Sequence, residues 1–221
     1  MKIKAVIFDF DGTLVDTCAD IALCINVMLS HFGYKNKTYD EVRSALCFGP
    51  VKLVYKVLPS DVANDEKTLK ECVDYYRGVY NVSENKLTHS YDGIVKLLSF
   101  LKDNGIRVAI NTNKNQNHTE NIIKGIFDPS LIDMIVGFSE EHPAKPDPYG
   151  ALTISNAFGI DPLEIVYVGD SDIDIQTAKN AGMIAVGVSW GYRSRDVLER
   201  ANPDFIADDA KELSDIIFGL I

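Results

Sequence analysis

Val6-Ile7-Phe8-Asp9-Phe10-Asp11-Gly12-Thr13-Leu14-Val15-Asp16 is the stretch whose reading decides the fold. Ile3 and then Ala5 to Phe8 make an apolar run of the length and composition of a strand buried on both faces. Asp9 and Asp11 stand two residues apart, so in extended chain both carboxylates point to one side. Gly12-Thr13 reads as a turn, which leaves both acids at the carboxyl end of the strand, where open α/β sheets bind ligands. Like charges this close push one pKa up unless a cation joins them. The pair therefore predicts a shared proton or a bound metal. An ordinary Asp-Gly turn accounts for Asp11 and leaves Asp9 unexplained.

The 221 residues suffice for a sizeable core in one or two domains. With 46% hydrophobic and 24% charged residues the composition is that of a soluble globular protein, and no window reaches the roughly eighteen uninterrupted apolar residues of a membrane span. The basic start, Met1-Lys2-Ile3-Lys4, is followed by too short an apolar run to read as a signal peptide. A net charge of -10 argues against nonspecific binding to nucleic acid or anionic membrane. Cys18, Cys24, Cys47 and Cys72 show no C-x-x-C spacing and suit reduced thiols, so a cytoplasmic location is expected.

Four helical patterns follow the first strand with no strand between them. The first is carried by Ile21, Ala22, Ile25, Met28, Leu29 and Phe32 and ends at Gly33; a second spans Asp40 to Leu46 and stops at Gly49-Pro50. A third holds Leu53, Val54, Val57 and Leu58, and a fourth runs from about Asp65 to Tyr80. From Asp92 the pattern becomes alternating helix and strand. Strands are expected at Arg107 to Asn111, Met134 to Val136, Ile165 to Val168 and Ile184 to Val188. The fold class is therefore α/β, a Rossmann-like parallel sheet of about five strands with an inserted all-helical domain. Residues 1–14 and 85–221 form the expected core and 15–84 the insertion, which reads as a lid.

The strand ends collect complementary groups: Asp9 and Asp11, Thr112 with Asn113, Lys145, and Asp170 with Asp174. Carboxylates are hard oxygen ligands suited to Mg²⁺, which favours a few of them plus water and substrate phosphate. Lys145 offers a compact cation, and Thr112 a hydroxyl and backbone N–H groups suited to phosphate oxygens. Once phosphate is neutralised, an Asp carboxylate can attack phosphorus and form an aspartyl-phosphate that water later cleaves. Singly, each residue has a plainer reading. Thr112 can open a helix, Lys145 can lie on the surface, and Asp170 or Asp174 can cap the helix that follows.

In order along the chain, Asp9-Phe10-Asp11-Gly12-Thr13, Thr112, Lys145 in Lys-Pro-Asp-Pro, and Gly169-Asp170-Ser171-Asp172-Ile173-Asp174 resemble the four motifs of the haloacid dehalogenase superfamily. The likeness spans nearly the whole chain and points to the phosphatases with a helical cap after the first strand. It implies that Asp9 is the nucleophile and Asp11 the general acid and base. It also implies that Thr112, Asn113 and Lys145 bind the phosphoryl group, with Lys145 restraining Asp9. Mg²⁺ would then sit on Asp9, the Asp11 carbonyl, Asp170 and Asp174.

A dehalogenase needs no acid two residues after its nucleophile, because halide leaves without a proton; Asp11 therefore argues for phosphoryl chemistry. Arg43-Ser44-Ala45-Leu46-Cys47-Phe48-Gly49-Pro50 resembles the cap loop of phosphoglycolate phosphatase-like members, and Trp190-Gly191-Tyr192 is similar to theirs too. Arg43, Gly49 and Lys52 are the substrate-binding candidates this implies. The expected function is a Mg²⁺-dependent phosphatase for a small phosphorylated metabolite, with phosphoglycolate as the named substrate, acting as a monomer or homodimer. A hexose-phosphate mutase or pyrophosphatase of the same superfamily shares these core motifs. A phosphoryl-accepting signalling domain is the reading from another class, but it does not need a helical insertion of roughly seventy residues.

Overall fold

The computed structural model describes residues 2–47 and 49–220; Phe48, within the Arg43 to Pro50 stretch, lies outside them. The chain divides into two compact units, residues 1–16 with 90–221, and residues 17–89.

In the first unit, β1 (Ala5–Phe8) is central to a six-stranded sheet. The short strand β2 (Val15–Asp16) follows it, and β3 (His89–Ser90) lies where the chain returns. After the return come α6 (Ile94–Asp103), β4 (Arg107–Asn115), α7 (Gln116–Ile126), β5 (Met134–Phe138), α8 (Tyr149–Phe158) and β6 (Ile165–Gly169). The unit closes with α9 (Asp172–Ala181), β7 (Ile184–Val188), α10 (Arg195–Ala201), β8 (Phe205–Ala207) and α11 (Ala210–Leu220). The sheet order is β5-β4-β1-β6-β7-β8, and every pairing is parallel.

Alternation along β1 explains why helices cover both sheet faces. Val6 and Phe8 join a core with Ile94, Leu98 and Leu101 of α6 and Leu213 of α11. Ala5 and Ile7 join a second core with Ile154 of α8, Ile175 and Ala178 of α9, and Leu198 of α10. Phe8 sits in register with Ile110 on one side and Val168 on the other. The chain runs from β1 out through β4 and β5, then returns to β6 on the other flank. The switch in strand order therefore falls between β1 and β6, where parallel sheets open a crevice beyond the strand ends.

The 17–89 unit is helical: α1 (Cys18–His31), α2 (Tyr39–Ala45), α3 (Gly49–Val57), α4 (Ser60–Ala63) and α5 (Glu66–Asn81). Its own ends are drawn together by Asp20, a buried carboxylate on α1 that accepts from the Leu87 N–H at 3.0 Å and the Thr88 hydroxyl at 2.7 Å. Thr38 and Glu41 form a reciprocal cap at the start of α2.

Three sequence expectations change. The sheet has six strands rather than about five, because β8 is only three residues long and too short for an alternation to register. Gly49-Pro50 opens α3 instead of merely stopping α2; a proline in the first turn forfeits no helical hydrogen bond. The strand expected to end at Asn111 runs on to Asn115, with its pairing to β5 breaking register between Asn111 and Asn115. No described helix is long and apolar enough to cross a membrane.

Leu98, fully buried in the α6 core, reports on this architecture. Leu98→Ala should destabilise the protein by about 2–5 kcal/mol, read from the midpoint of urea unfolding.

Candidate active site

Asp9 is the first residue beyond β1, Asp170 the first beyond β6, and Asp174 lies in the first turn of α9. One oxygen from each carboxylate lies within 4.8 Å of the other two, and all three residues are buried. Lys145, in the loop before α8, reaches into this cluster. Its Nζ is 2.7 Å from Asp9 Oδ1 and 2.6 Å from Asp174 Oδ1.

Asp174, Asp170 and Lys145 are each held by further contacts. The other oxygen of Asp174 accepts from the Ser171 hydroxyl at 2.6 Å and the Ser171 N–H at 3.1 Å, the capping box of α9. One oxygen of Asp174 thus serves the helix cap and the other faces Lys145. Asp170 Oδ2 accepts from the Tyr192 N–H at 2.7 Å. The backbone around Asp170 is kept bare: Gly12, at φ +86, and Gly191 both lie where an added Cβ would collide with its side chain. The Lys145 backbone is clamped by Asn113, whose Oδ1 accepts from the Lys145 N–H at 2.9 Å and whose Nδ2 donates to the Lys145 carbonyl at 3.2 Å.

Asp11 stands apart from the cluster. Both of its oxygens meet Lys114 Nζ, at 2.8 and 3.0 Å. Thr112 is buried within β4, and its Oγ1 accepts from the Lys114 N–H at 3.1 Å. Thr112, Asn113 and Lys145 line a small pocket with Asn111, Phe138 and His142. Arg43 on α2, and Gly49 and Lys52 on α3, belong to the 17–89 unit.

The electrostatics follow from three buried acids around one lysine. Burial, then the charge of Asp174, lifts Asp9 from the ordinary 3.8 to about 7, with Lys145 pulling the other way. Burial followed by Asp174 and Asp9 also holds Asp170 well above the usual carboxylate range. For Lys145 burial favours the neutral form, but the carboxylates of Asp174 and Asp9 prevail and keep it protonated. With one ammonium to three carboxylates the cluster is short of positive charge, and its donors are all hard oxygens. That combination fits a divalent cation such as those bound by carboxylate clusters.

Sequence reasoning missed four contributors. A lysine after Thr-Asn carries no signal of its own, yet Lys114 meets both oxygens of Asp11. Tyr167 read as core strand, yet its hydroxyl donates to Asn111 Oδ1 at 3.0 Å and its ring lies near Lys145, with Nζ 6.0 Å from the centroid. His118 is buried on α7, where burial and then Lys114 lower its pKa to about 4. Tyr192 carried a resemblance but no role; besides its N–H contact to Asp170, its hydroxyl donates to Asp16 at 3.2 Å.

A raised acid binds its proton more tightly in the native than in the unfolded chain. In metal-free protein the Asp9 contribution is therefore present below pH about 4 and lost as pH rises towards about 7. A divalent cation should raise the melting temperature at pH 7, and Asp170→Ala should largely remove that rise, as followed by thermal unfolding with and without chelator. An unchanged metal-induced shift in the variant would take Asp170 out of the metal site.

The model of the haloacid dehalogenase-like hydrolase family matches residues 6–188. The phosphoglycolate phosphatase of Neisseria meningitidis is 33% identical over 96% of this chain and 92% of its own length. That of Psychrobacter arcticus is 30% identical over 98% and 96%. A crystal structure from Lactobacillus delbrueckii subsp. bulgaricus, provisionally named a phosphoglycolate phosphatase, superposes with a TM-score of 0.89 at 26% identity, covering 98% of this chain and 99% of the other. A match over residues 6–188, containing the whole acidic cluster and both lysines, establishes that the chain belongs to the haloacid dehalogenase-like hydrolase family.

Proposed function

We propose that the protein is a Mg²⁺-dependent phosphomonoesterase acting on a small phosphorylated metabolite, with phosphoglycolate the first substrate to test. The observation that carries this reading is Asp9, a buried carboxylate held by Lys145 beside Asp170 and Asp174, with a second acid two residues along the chain. The named activity of the Neisseria and Psychrobacter relatives supports the choice of substrate.

In this reading Mg²⁺ would be held by Asp9, Asp170, Asp174 and the Asp11 carbonyl, and would supply charge neutralisation to the phosphoryl group. Asp9 attacks phosphorus: an Asp9 O–P bond forms, the ester P–O bond breaks, and its electron pair stays on the leaving oxygen, which takes a proton from Asp11. Lys145 aims the nucleophile through its 2.7 Å contact and lends charge to the phosphoryl oxygens. Thr112 contributes its hydroxyl there, and Asn113 acts by fixing the Lys145 backbone. Asp11, now ionised, takes a proton from the water that cleaves the aspartyl-phosphate. The 17–89 unit is the proposed cap, carrying Arg43, Gly49 and Lys52 as the residues that rank substrates.

Phosphate release with Mg²⁺ across phosphoglycolate, hexose phosphates, nucleotides, pyrophosphate and p-nitrophenyl phosphate tests the reading. Steady multiple turnover with the highest kcat/KM on a small phosphomonoester is expected. A single stoichiometric phosphorylation would replace the enzyme by a signalling domain, and isomerised sugar phosphate by a mutase. Asp9→Asn should lower turnover by at least about a thousandfold with the fold retained by circular dichroism. Replacing Arg43 and Lys52 together should reorder the natural substrates more than it slows p-nitrophenyl phosphate; the reverse would move specificity away from the helical unit.

A further inference from the structure

Lys114 is not among the groups the acidic cluster requires. Its side chain is nevertheless only 6% exposed, against 22% for the Asp11 it binds, so the cation stands behind the acid and away from solvent. Burying an ammonium is costly unless it is paired, and surface ion pairs gain little; a bidentate pair at this depth is a constraint on geometry more than a stabilising ornament. Both Asp11 oxygens are held, at 2.8 and 3.0 Å, so neither can swing away from the ammonium without losing a contact.

Lys114 is itself anchored. Its N–H donates to Thr112 Oγ1, and it lies in the part of β4 where pairing with β5 breaks register. That irregularity lets three consecutive residues take three tasks: Thr112 stays buried at the cavity, Asn113 clamps the Lys145 backbone, and Lys114 turns to Asp11. His118, in the first turn of α7 and buried close to Lys114 and Asp11, is held uncharged at neutral pH by burial and then by Lys114. The imidazole therefore brings no positive charge of its own to compete for Asp11.

We infer that Lys114 is a positioning residue that aims the Asp11 carboxyl group at the leaving oxygen of the substrate, an inference resting on the phosphomonoesterase reading. When the ester P–O bond breaks and its electron pair goes to the leaving oxygen, the proton must come from an oxygen of Asp11 lying in line with it. Misalignment of even about 1 Å costs roughly a hundredfold in such transfers. The demand depends on the leaving group. An alkoxide needs the proton, whereas p-nitrophenolate leaves as a stable anion.

The experiment compares kcat/KM, which reports on the step that expels the leaving group, for p-nitrophenyl phosphate and for the alkyl phosphate the wild type turns over best. Lys114→Met should lower the alkyl value about tenfold or more beyond its effect on p-nitrophenyl phosphate, and Lys114→Arg, which can still grip both oxygens, should restore most of the difference. Lys114→Gln stands in for the methionine variant if that chain fails to fold. Equal losses on both esters, or none, overturn the inference. If the wild type hydrolyses neither ester, it is the phosphomonoesterase reading that has failed.

Discussion

Lys145 is the constraint on which the rest of the site depends. Three carboxylates are buried within 4.8 Å of one another, and its ammonium is the cation that touches two of them. Left to electrostatics these groups would separate or take up protons, as the raised Asp9 and Asp170 indicate. They are kept together because each is fixed by a different rigid element: β1 for Asp9, β6 for Asp170, α9 for Asp174, and the Asn113 clamp for Lys145. The strain of like charges is borne by a sheet whose central strand is covered on both faces.

Close packing of backbone against carboxylate is the second requirement. Asp170 is bounded by Gly12 and Gly191, and Asp174 by Gly169; a Cβ at any of these three positions would overlap the acid it borders. The loop after β7 completes the enclosure. The Trp190 indole donates to the Thr13 carbonyl at 3.1 Å, and the Tyr192 N–H takes up one oxygen of Asp170. The orientation of Asp170 is thereby set by a backbone N–H, and it depends on Gly12 and Gly191 remaining without side chains.

What was legible in the sequence was whatever a period or an order could encode. The run into Asp9 announced a buried strand by composition, and the acids after it marked where that strand ends. Motif order was enough to gather Lys145 and Asp170, although they lie far from Asp9 along the chain. Other features were closed to that reading because their meaning is tertiary. Tyr167 sits in an apolar strand, and only the register of β6 against β1 shows that its hydroxyl meets Asn111. Asn113 follows Thr112 in the sequence, but only the fold shows that its amide also brackets the Lys145 backbone. The three-residue β8 has too few residues to show alternation, and Gly49-Pro50 carries the same letters whether a helix ends or begins there.

Two lysines give two neighbouring aspartates different surroundings. Asp9 is paired to Lys145 within a crowded acidic cluster, while Asp11 is paired to Lys114 outside it and is the more exposed of the two. Under the phosphomonoesterase reading a nucleophile must be desolvated and held against phosphorus, and an acid-base group must meet a leaving group and then water. β1 ends at Phe8, before either acid, so the strand by itself assigns neither environment. The division has to come from what flanks that strand, the loop before α8 on behalf of Asp9 and the irregular end of β4 on behalf of Asp11.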